Sequence, residues 1–324
     1  MSPSIQSLTD ALVGEVSKIV VGKEPQIRLM AAALLAEGHI LLDDLPGVGK
    51  TTLVKTLALA LGCRFRRIQF TPDLLPSDVV GMNIFDRQSG AFRRMDGPVF
   101  TNLLLADELN RAIPRTQSAL LEAMEERQVS LDGESRPLPA PFAVLATQNP
   151  VEAESTFRLP AAQLDRFMIR LSLGYPSPEE EARMLTDVGD AIPFEAVEAV
   201  ISAEELTALQ REVRSVAVSP DMADYIVALT GATRSHPSLR LGASPRASKA
   251  LFKCAKALAA GRGRAFITPD DIQELALPVL SHRLVLTAEA RMSGQSPESV
   301  LTGILESLPV PPARDKLFRD AGEG

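Results

Sequence analysis

One stretch near the amino terminus constrains the fold of this chain more than any other. Residues 44–52 read D-L-P-G-V-G-K-T-T. The apolar run Ile-Leu-Leu at residues 40–42 precedes them, and the amphipathic residues 53–61 follow. A strand, a glycine-rich loop and a helix in this order are the context of a phosphate-binding P-loop. The stretch therefore predicts that a phosphate binds at the start of a helix.

The residue types in this loop suit a nucleoside triphosphate. Gly47 and Gly49 allow backbone conformations that a side chain would block, so successive N–H groups can surround an anion. The helix that begins near Lys50 adds the partial positive charge of its amino end. Lys50 is expected to reach the β- and γ-phosphates, and the Thr51 hydroxyl is expected to bind Mg²⁺. The motif has glycine where this chain has Asp44, and an ordinary glycine-rich turn is the alternative at this point.

Length and charge bound the class of protein. The 324 residues predict about two domains, and a 45% share of hydrophobic residues is enough for a normal core. The formal net charge of −7 does not favour a dedicated nucleic-acid binder, although an acidic chain can carry a local basic patch.

Other features concern the compartment. The 2 cysteines, Cys63 and Cys254, imply no disulfide framework, which fits a reducing cytoplasm. The polar residues 1–16 are not a signal peptide, and no apolar run approaches the ~18 residues that span a membrane. We therefore expect a cytoplasmic protein with no direct membrane insertion. The scattered His39, His236 and His282 are expected at surface or capping positions rather than as metal ligands.

Strand and helix patterns divide the chain in two. Residues 40–42, 66–70, 103–106, 142–146 and 167–173 read as strands. Residues 71–94 look like an insertion, and the polar turn at Asp132-Gly133 indicates a hairpin over residues 129–138. Helical periodicity follows at residues 179–188, 203–213, 222–230, 245–260 and 269–280. This succession predicts an α/β domain, residues 1–175, and then an all-α domain, residues 176–324.

A second motif follows the apolar run at residues 103–106. Asp107 and Glu108 end that run, which is the pattern of a Walker B segment, and Asn149 follows the next apolar strand. In a parallel sheet the carboxyl ends of the strands meet at one edge, so these residues and the P-loop can converge on one γ-phosphate. Asp107 can hold Mg²⁺ through its waters, Glu108 can deprotonate the attacking water, and Asn149 can hold that water. The alternative for an isolated Asp-Glu pair is a solvated strand end.

Phosphoryl transfer also needs positive charge at the transition state, which an arginine from a neighbouring subunit can supply. Arg166 lies just before the last strand, and its alternative is a surface ion pair with Asp165. Arg246 opens a helix of the second domain, from which it can fold over the nucleotide as a lid moves. Its alternative is a surface position at a helix start. Arg111 and Arg115 flank the helix after Glu108 and stay unranked.

Together the motifs resemble those of the MoxR family of AAA+ ATPases over nearly the whole chain. The matching segments are residues 45–51 (L-P-G-V-G-K-T), 105–112 (L-A-D-E-L-N-R-A), 116–126 (T-Q-S-A-L-L-E-A-M-E-E), 146–150 (A-T-Q-N-P), 159–167 (L-P-A-A-Q-L-D-R-F) and 242–246 (G-A-S-P-R). The resemblance implies a P-loop AAA+ core with a parallel sheet of strand order 5-1-4-3-2, a helical insertion at residues 71–94, a pre-sensor hairpin at residues 129–138 and an all-α lid. Ala161 and Ser155 depart from the glutamate and glycine usual in the family.

The motifs and the resemblance together assign the candidate site residues. The resemblance makes Asn149 sensor 1, Arg166 the arginine finger and Arg246 sensor 2, and it places residues 20–22 against adenine. The catalytic residues are then Glu108, Asn149, Arg166 and Arg246. The nucleotide-binding residues are Val21, Gly22, Pro46, Gly47, Val48, Gly49, Lys50, Thr51 and Thr52. The metal ligands are Thr51 and Asp107, and the cofactors are ATP and Mg²⁺.

Several functions fit this set. The resemblance implies a homo-oligomeric ring, a hexamer, that hydrolyses ATP and acts as a chaperone on protein clients, with a partner carrying a von Willebrand factor A domain. A nucleic-acid-dependent motor is disfavoured by the net charge of −7 and by 2 Tyr and no Trp, since strand-binding channels use basic grooves and stacking aromatic residues. A transcription activator rests only on the Gly-Ala-Phe at residues 90–92, which we take as chance. A magnesium-chelatase-like motor subunit shares the insertion and stays open.

Overall fold

The computed structural model describes residues 4–88, 90–148, 157, 159–188 and 194–312. The strands in this part of the chain are β1 (Ile40–Asp43), β2 (Phe65–Gln69), β3 (Gly81–Asp86), β4 (Ala91–Asp96), β5 (Leu103–Asp107), β6 (Gln128–Leu131), β7 (Glu134–Pro137), β8 (Ala143–Gln148), β9 (Ile169–Leu171), β10 (Leu239–Leu241) and β11 (Val285–Leu286). The helices are α1 (Ile5–Ser17), α2 (Glu24–Leu35), α3 (Lys50–Ala60), α4 (Pro76–Val80), α5 (Pro114–Glu126), α6 (Ala161–Leu164), α7 (Pro178–Arg183), α8 (Ala203–Val213), α9 (Pro220–Ser235), α10 (Pro245–Gly261), α11 (Pro269–Leu280), α12 (Ala288–Met292) and α13 (Pro297–Ser307).

Five strands form one parallel sheet at the centre of the molecule. Their order is β2-β5-β8-β1-β9, and every neighbouring pair is parallel. With these five strands numbered one to five along the chain, the order read from the β9 edge is 5-1-4-3-2. The expected α/β fold class and strand order are therefore confirmed. The carboxyl ends of all five strands lie at the same edge, which is where α/β proteins bind ligands.

The apolar runs form central strands because both faces of the sheet are covered. Leu103 and Leu105 of β5 pack into a core with α1, α2 and α3, whereas Leu104 and Ala106 pack into a second core on the other face. The second core includes Leu120, Leu121 and Met124 from one side of α5, the helix whose apolar stripe the sequence shows.

The insertion differs from the expected helical one. Helix α4 has five residues, and β3 and β4 then form an antiparallel hairpin. Gly81 ends the helix because its φ of +96° lies outside helical space, and a Cβ there would lie 2.3 Å from the Met95 carbonyl oxygen. The apolar residues of the two strands that follow are not spaced as in an amphipathic helix. A helix formed from them would therefore have no single apolar face to bury. The pre-sensor hairpin, by contrast, is present as β6 and β7, with Asp132 (φ 51°) and Gly133 (φ 83°) in its turn.

The described residues after 177 are mainly helical, as expected, and contain one short sheet. Strands β10 and β11 pair antiparallel there, and at three and two residues they are too short to show alternation in the sequence. Ile27 and Leu34 of α2 share a hydrophobic core with Leu251 and Leu258 of α10. Because this core runs from the first helices into the last ones, the boundary between residues 175 and 176 remains a prediction. Within the described residues, none of the helices combines the length and apolar character needed to cross a bilayer.

Two histidines are buried, contrary to the expected surface or capping positions. His39 is 6% exposed and His282 is 5% exposed. His39 Nδ1 accepts a hydrogen bond from the Val144 N–H at 3.0 Å, so Nε2 carries the proton and donates to the Met124 carbonyl oxygen at 3.1 Å. Burial lowers the pKa of His39 to about 4, because the charged form would lose its hydration.

The neutral His39 makes stability depend on pH. Between pH 6.5 and about 4 the unfolded chain binds a proton at this residue that the folded chain does not. Stability is therefore complete above pH 6.5 and falls with pH, by about 1.4 kcal/mol per unit for this group. We predict that His39→Gln loses about 1.5 kcal/mol less unfolding free energy than the wild type between pH 6.5 and pH 5. Urea unfolding at several pH values measures this difference. A slope in His39→Gln equal to that of the wild type would contradict the assignment.

Candidate functional site

The predicted P-loop lies at the carboxyl edge of the sheet, between β1 and α3. Gly47 and Gly49 both adopt φ +85°, a conformation that favours glycine. A Cβ at either position would meet no atom within 4 Å. Glycine is therefore favoured here by the positive φ and not by a lack of space for a side chain. The loop borders a cleft of about 320 Å³, and the residues lining this nucleotide cleft are Pro46, Gly47, Gly49, Lys50, Thr51, Thr52, Asp107, Glu108, Thr147 and Gln148.

Lys50 is the cation of this cleft. Its Nζ donates hydrogen bonds to the carbonyl oxygens of Asp44 at 2.7 Å and Leu45 at 3.0 Å. Burial lowers the pKa of Lys50, while the carboxylates of Asp44 and Asp107 act in the opposite direction. The ammonium group is thus already at the base of the loop.

Asp44, which replaces the first glycine of the motif, has a structural role in the fold. Its side chain accepts hydrogen bonds from the Ser172 hydroxyl at 2.8 Å, from the Gly174 N–H at 3.2 Å and from the Leu173 N–H. These donors belong to the chain just after β9, the neighbour of β1 in the sheet. A glycine would leave all three donors without this acceptor, so Asp44 ties the base of the loop to the exit of β9.

Asp107 and Glu108 reach the nucleotide cleft from the end of β5. The Thr147 hydroxyl donates to Asp107 Oδ1 at 2.6 Å and accepts the Glu108 N–H at 2.8 Å. Arg67 of β2 binds Asp107 Oδ2 through Nε at 3.1 Å and Nη2 at 2.6 Å. Asp107 is therefore held on both oxygens, by Thr147 on Oδ1 and by Arg67 on Oδ2.

Glu108 is held in a network of its own. Its Oε2 accepts from Gln69 Nε2 at 2.7 Å and from Arg111 Nη1 at 2.8 Å. Arg67 Nη2 also donates to Gln69 Oε1 at 2.8 Å, so the network continues to Asp107. The backbone of Glu108 has φ 55°, a left-handed conformation that is uncommon for a residue with a side chain and that concentrates at functional sites.

Sequence reasoning did not assign Arg67, Gln69 or Thr147 to the site. All three lie at or near the carboxyl ends of strands that flank β5, and Gln69 stands opposite Asp107 in the register. The expected strand order contained this information, because it puts residues 66–70 beside residues 103–106. Arg111, unranked from the sequence, contacts Glu108 of the same chain, whereas Arg115 is exposed.

Arg166 and Arg246 lie together in a different cleft, of about 290 Å³. Gly38, His39 and Met168 line it, and these residues immediately precede β1 and β9. This arginine cleft is therefore at the amino edge of the sheet, and the nucleotide cleft is at the opposite edge. Arg246 does not line the cleft that contains Lys50, so the structure does not place it over the chain's own P-loop as we expected.

One carboxylate holds both arginines. Glu125 at the end of α5 accepts from Arg166 Nε at 2.9 Å and also pairs with Arg246. Burial acts to raise the pKa of Glu125, but the hydrogen bond and charge of Arg246 and the charge of Arg166 outweigh it and lower the pKa. The alternative pairing of Arg166 with Asp165 is not seen: Asp165 Oδ1 instead accepts from the buried Arg283 at 2.6 Å.

Half-buried contacts around Asp165 hold the arginine cleft together. Its Oδ2 accepts from the hydroxyl of Ser244 at 3.0 Å, and Ser244 is the N-cap of α10, the helix on which Arg246 lies. Arg283 also donates to the Phe167 carbonyl oxygen at 2.7 Å. The segment with Arg166 and the helix with Arg246 are thus joined in one rigid arrangement.

The remaining expected residues have different outcomes. Asn149, with Ser155, lies outside the described residues. Val21 is buried, and Gly22, with φ +72°, lies against the Glu180 side chain. Val48 packs against the hydrophobic core instead of lining the nucleotide cleft. Ala161 is the first residue of the short helix α6.

The donor set of the nucleotide cleft suits a phosphate chain with a divalent cation. Thr51 and Asp107 offer the hydroxyl and carboxylate oxygens that Mg²⁺ prefers. Lys50 and the N–H groups of an open glycine loop at the start of α3 offer positive charge to phosphate. The residues present therefore fit the implied groups.

Comparisons with known proteins agree with this geometry. Residues 39–169 match the ATPase family associated with various cellular activities (AAA), and residues 231–304 match the AAA lid domain. The chain is 43% identical over 306 residues to Chaperone MoxR1 of Mycobacterium tuberculosis, covering 92% of this chain and 81% of that protein. The chain belongs to the MoxR family of AAA+ ATPases. Membership in this MoxR family implies nucleotide binding, and the cleft at the P-loop is where its motif residues meet.

Two further relatives span almost the whole MoxR-family chain. The uncharacterized protein YeaC of Bacillus subtilis is 48% identical over 310 residues, which is 96% of this chain and 97% of that protein. The crystal structure of a putative ATPase from Cytophaga hutchinsonii superposes with a TM-score of 0.88 at 39% identity, covering 95% of this chain and 96% of that chain. Both relatives thus match this chain over at least 95% of its length and at least 96% of their own.

Proposed function

We propose that this chain is a cytoplasmic, ring-forming ATP hydrolase that uses the energy of hydrolysis to remodel or mature protein clients. The observation that carries the proposal is the division of its functional residues between two edges of one sheet. Lys50, Thr51, Asp107 and Glu108 share the nucleotide cleft, whereas the two candidate arginines lie at the opposite edge. Each chain then offers a nucleotide cleft at one edge of the sheet and two arginines at the other. In a closed ring, proposed to be a hexamer, the arginines of each chain would complete the nucleotide site of its neighbour.

Hydrolysis would proceed by attack of water on the γ-phosphate of ATP. Lys50 neutralises phosphate charge, Glu108 accepts the proton of the attacking water, and Asn149 orients that water. Thr51 and Asp107 would hold Mg²⁺, which supplies positive charge to the phosphate oxygens. Gln69 and Arg111 both bind Oε2 of Glu108, so they orient the carboxylate and leave Oε1 to accept the proton.

Substitutions in the nucleotide cleft separate binding from hydrolysis. Glu108→Gln keeps the shape of the side chain but removes the base, so we predict near-normal ATP affinity and turnover reduced by at least about 100-fold. Lys50→Ala should lose ATP binding itself. Affinity is measured with a fluorescent ATP analogue and turnover by phosphate release. Glu122→Gln, on the exposed side of α5, is the matched control and should turn over normally. Normal turnover in Glu108→Gln would remove this residue from the mechanism.

The position of Arg166 and Arg246 predicts that they act on a neighbour's nucleotide. Arg166→Ala and Arg246→Ala should each lose turnover alone, and each should regain it when mixed with Lys50→Ala subunits. In an equal mixture roughly a quarter of the interfaces would combine an intact P-loop with an intact arginine. A mixture of Lys50→Ala with Glu108→Gln is the control, since both residues belong to the same cleft and no interface is repaired. If Arg246→Ala is not rescued in confirmed mixed oligomers, Arg246 does not act across the interface.

The partner is proposed to be a protein. The net charge of −7 and the 2 Tyr without Trp give little for a nucleic-acid strand to bind, and one relative is named a chaperone. The two hairpins, β3–β4 and β6–β7, contribute no residue to the nucleotide cleft, so they are proposed to face the client. The partner is proposed to carry a von Willebrand factor A domain.

This choice of partner is tested by ATP turnover at low salt. We predict that a purified partner with a von Willebrand factor A domain stimulates turnover and that single-stranded DNA, duplex DNA and RNA do not. Stimulation by nucleic acid that fades as salt rises, with none from the protein, would favour a nucleic-acid motor instead, because phosphate contacts weaken with salt.

A further inference from the structure

Glu125 is the point at which three separate parts of the chain meet. It is the penultimate residue of α5. It contacts Arg166, 41 positions away in the segment before β9, and Arg246, 121 positions away in α10. Its Oε2 accepts from Arg166 Nε at 2.9 Å, and its Oε1 accepts from Arg246 Nη2. Each carboxylate oxygen therefore holds a different arginine.

Both arginines depend on this carboxylate for their position. In the described part of the chain, Glu125 is the sole hydrogen-bond or ion-pair partner of either guanidinium group. The Arg166 side chain is 27% exposed and the Arg246 side chain is 48% exposed, so packing alone does not fix them. An arginine without a partner samples many rotamers, and two like charges in one cleft repel each other. Glu125 therefore orders the two arginines and also offsets their repulsion.

The place of Glu125 on α5 is unfavourable for a carboxylate that has no cationic partner. The last turn of a helix carries partial negative charge, which favours cations there. Glu126, the next residue, is also exposed, and its side chain has no hydrogen-bond or ion-pair partner among the residues that the structure describes. The two residues share a helix end and a charge, but Glu125 alone of the pair holds the arginines. Glu126 is thus a matched control for it.

The two arginines keep the capacity to bind an anion while Glu125 holds them. Arg166 binds through Nε and keeps both terminal nitrogens, whereas Arg246 binds through Nη2 and keeps Nε and Nη1. One carboxylate between two guanidinium groups also leaves a net positive charge. Lys249 and Lys253 line the same cleft, are exposed, and form no ion pair within the described ranges. The arginine cleft therefore offers both free N–H donors and positive charge to a phosphate.

The other two carboxylates of the arginine cleft have cationic partners of their own. Asp165 pairs with the buried Arg283 at 2.6 Å. Glu37 pairs with Arg214 at 2.5 Å and with Arg127 at 3.8 Å. Neither carboxylate contacts the two candidate arginines, so neither cancels the charge that these arginines offer to a ligand.

From these contacts we propose that Glu125 is a positioning residue for ATP hydrolysis. It holds Arg166 and Arg246 side by side, so that both reach the γ-phosphate of a neighbour's ATP as one preorganised cationic unit. The proposal rests on the function proposed above, in which these arginines act on the neighbour's nucleotide. Glu125 itself contacts neither the nucleotide nor the attacking water, and its effect passes through the two guanidinium groups.

Substitution of Glu125 tests this role by ATP turnover and by binding of a fluorescent ATP analogue. Glu125→Ala releases both arginines, so we expect the maximal rate to fall at least about ten-fold while the ATP affinity stays within about two-fold. The affinity is kept because Lys50 and Thr51 line the other cleft. Glu125→Asp keeps the charge on a shorter side chain and should retain more of the rate than Glu125→Ala. Glu126→Gln should turn over ATP at the wild-type rate.

Mixed oligomers show whether the loss passes through the arginines. Glu125→Ala subunits should regain turnover when mixed with Lys50→Ala subunits, because an intact P-loop then meets an intact pair of arginines. They should not regain it with Arg166→Ala subunits, because both variants are defective at the same edge of the sheet. A general loss of structure would not give this pattern. Thermal unfolding checks that Glu125→Ala is folded, and Glu125→Gln replaces it if it is not.

Several results would overturn the role of Glu125. One is a wild-type rate in Glu125→Ala, and another is a faster rate, which would make Glu125 an inhibitor of the arginines. A third is an equal loss of turnover in Glu126→Gln, which would assign the effect to the charge at the helix end. A fourth is the absence of rescue by Lys50→Ala in mixed oligomers that mass measurement confirms.

Arg166→Ala in the same experiment distinguishes the two proposals. If Lys50→Ala rescues Arg166→Ala but Glu125→Ala keeps the wild-type rate, only the inference about Glu125 is contradicted. If the wild-type protein does not hydrolyse ATP, or if Arg166→Ala is not rescued, the proposed function across the interface is contradicted, and the role of Glu125 with it.

Discussion

Parallel pairing of five strands is the constraint on which the rest of this structure depends. Because β1, β5 and β8 run in the same direction, the segments that follow them must meet at one edge. Lys50 follows β1, and Asp107 and Glu108 lie at the end of β5. The direction of the strands alone therefore brings these residues together. The same polarity sends the segments that precede β1 and β9 to the other edge, and this separates Arg166 from the P-loop.

The site residues that could be predicted from the sequence are those whose positions follow from the parallel direction of the strands. A motif at a strand end is visible in the chain, and the register of a parallel sheet then determines its neighbours. Arg67 and Gln69 were within reach of the same reasoning, since their strand borders β5. The position of Arg246 was not, because it depends on how α10 packs against α2. That packing joins residues more than two hundred positions apart and leaves no local pattern.

The fold likewise has a part that could be predicted from the sequence and a part that could not. The apolar strands and the helices α7 to α11 were predicted to within about five residues at their ends, whereas α12 and α13 were not predicted. The insertion was expected to be helical, but Gly81 ends α4 after five residues, and cross-strand pairs form instead. His39 and His282 were expected at the surface because composition alone says nothing of burial. Each is buried with a backbone carbonyl as partner, which a sequence pattern does not record.

Asp44 gives the P-loop a mechanical connection that the usual glycine would not provide. Its carboxylate grips the chain at residues 172–174, and that chain leads directly from the sheet into the helical lid. Three hydrogen bonds to a charged acceptor, each worth about 1.5–3 kcal/mol, make this joint stiff compared with a flexible linker. A displacement of the lid would therefore be transmitted as strain to the base of the phosphate-binding loop, and a displacement of the loop would be transmitted to the lid. In this chain the first residue of the motif therefore couples the base of the phosphate-binding loop to the segment that follows β9.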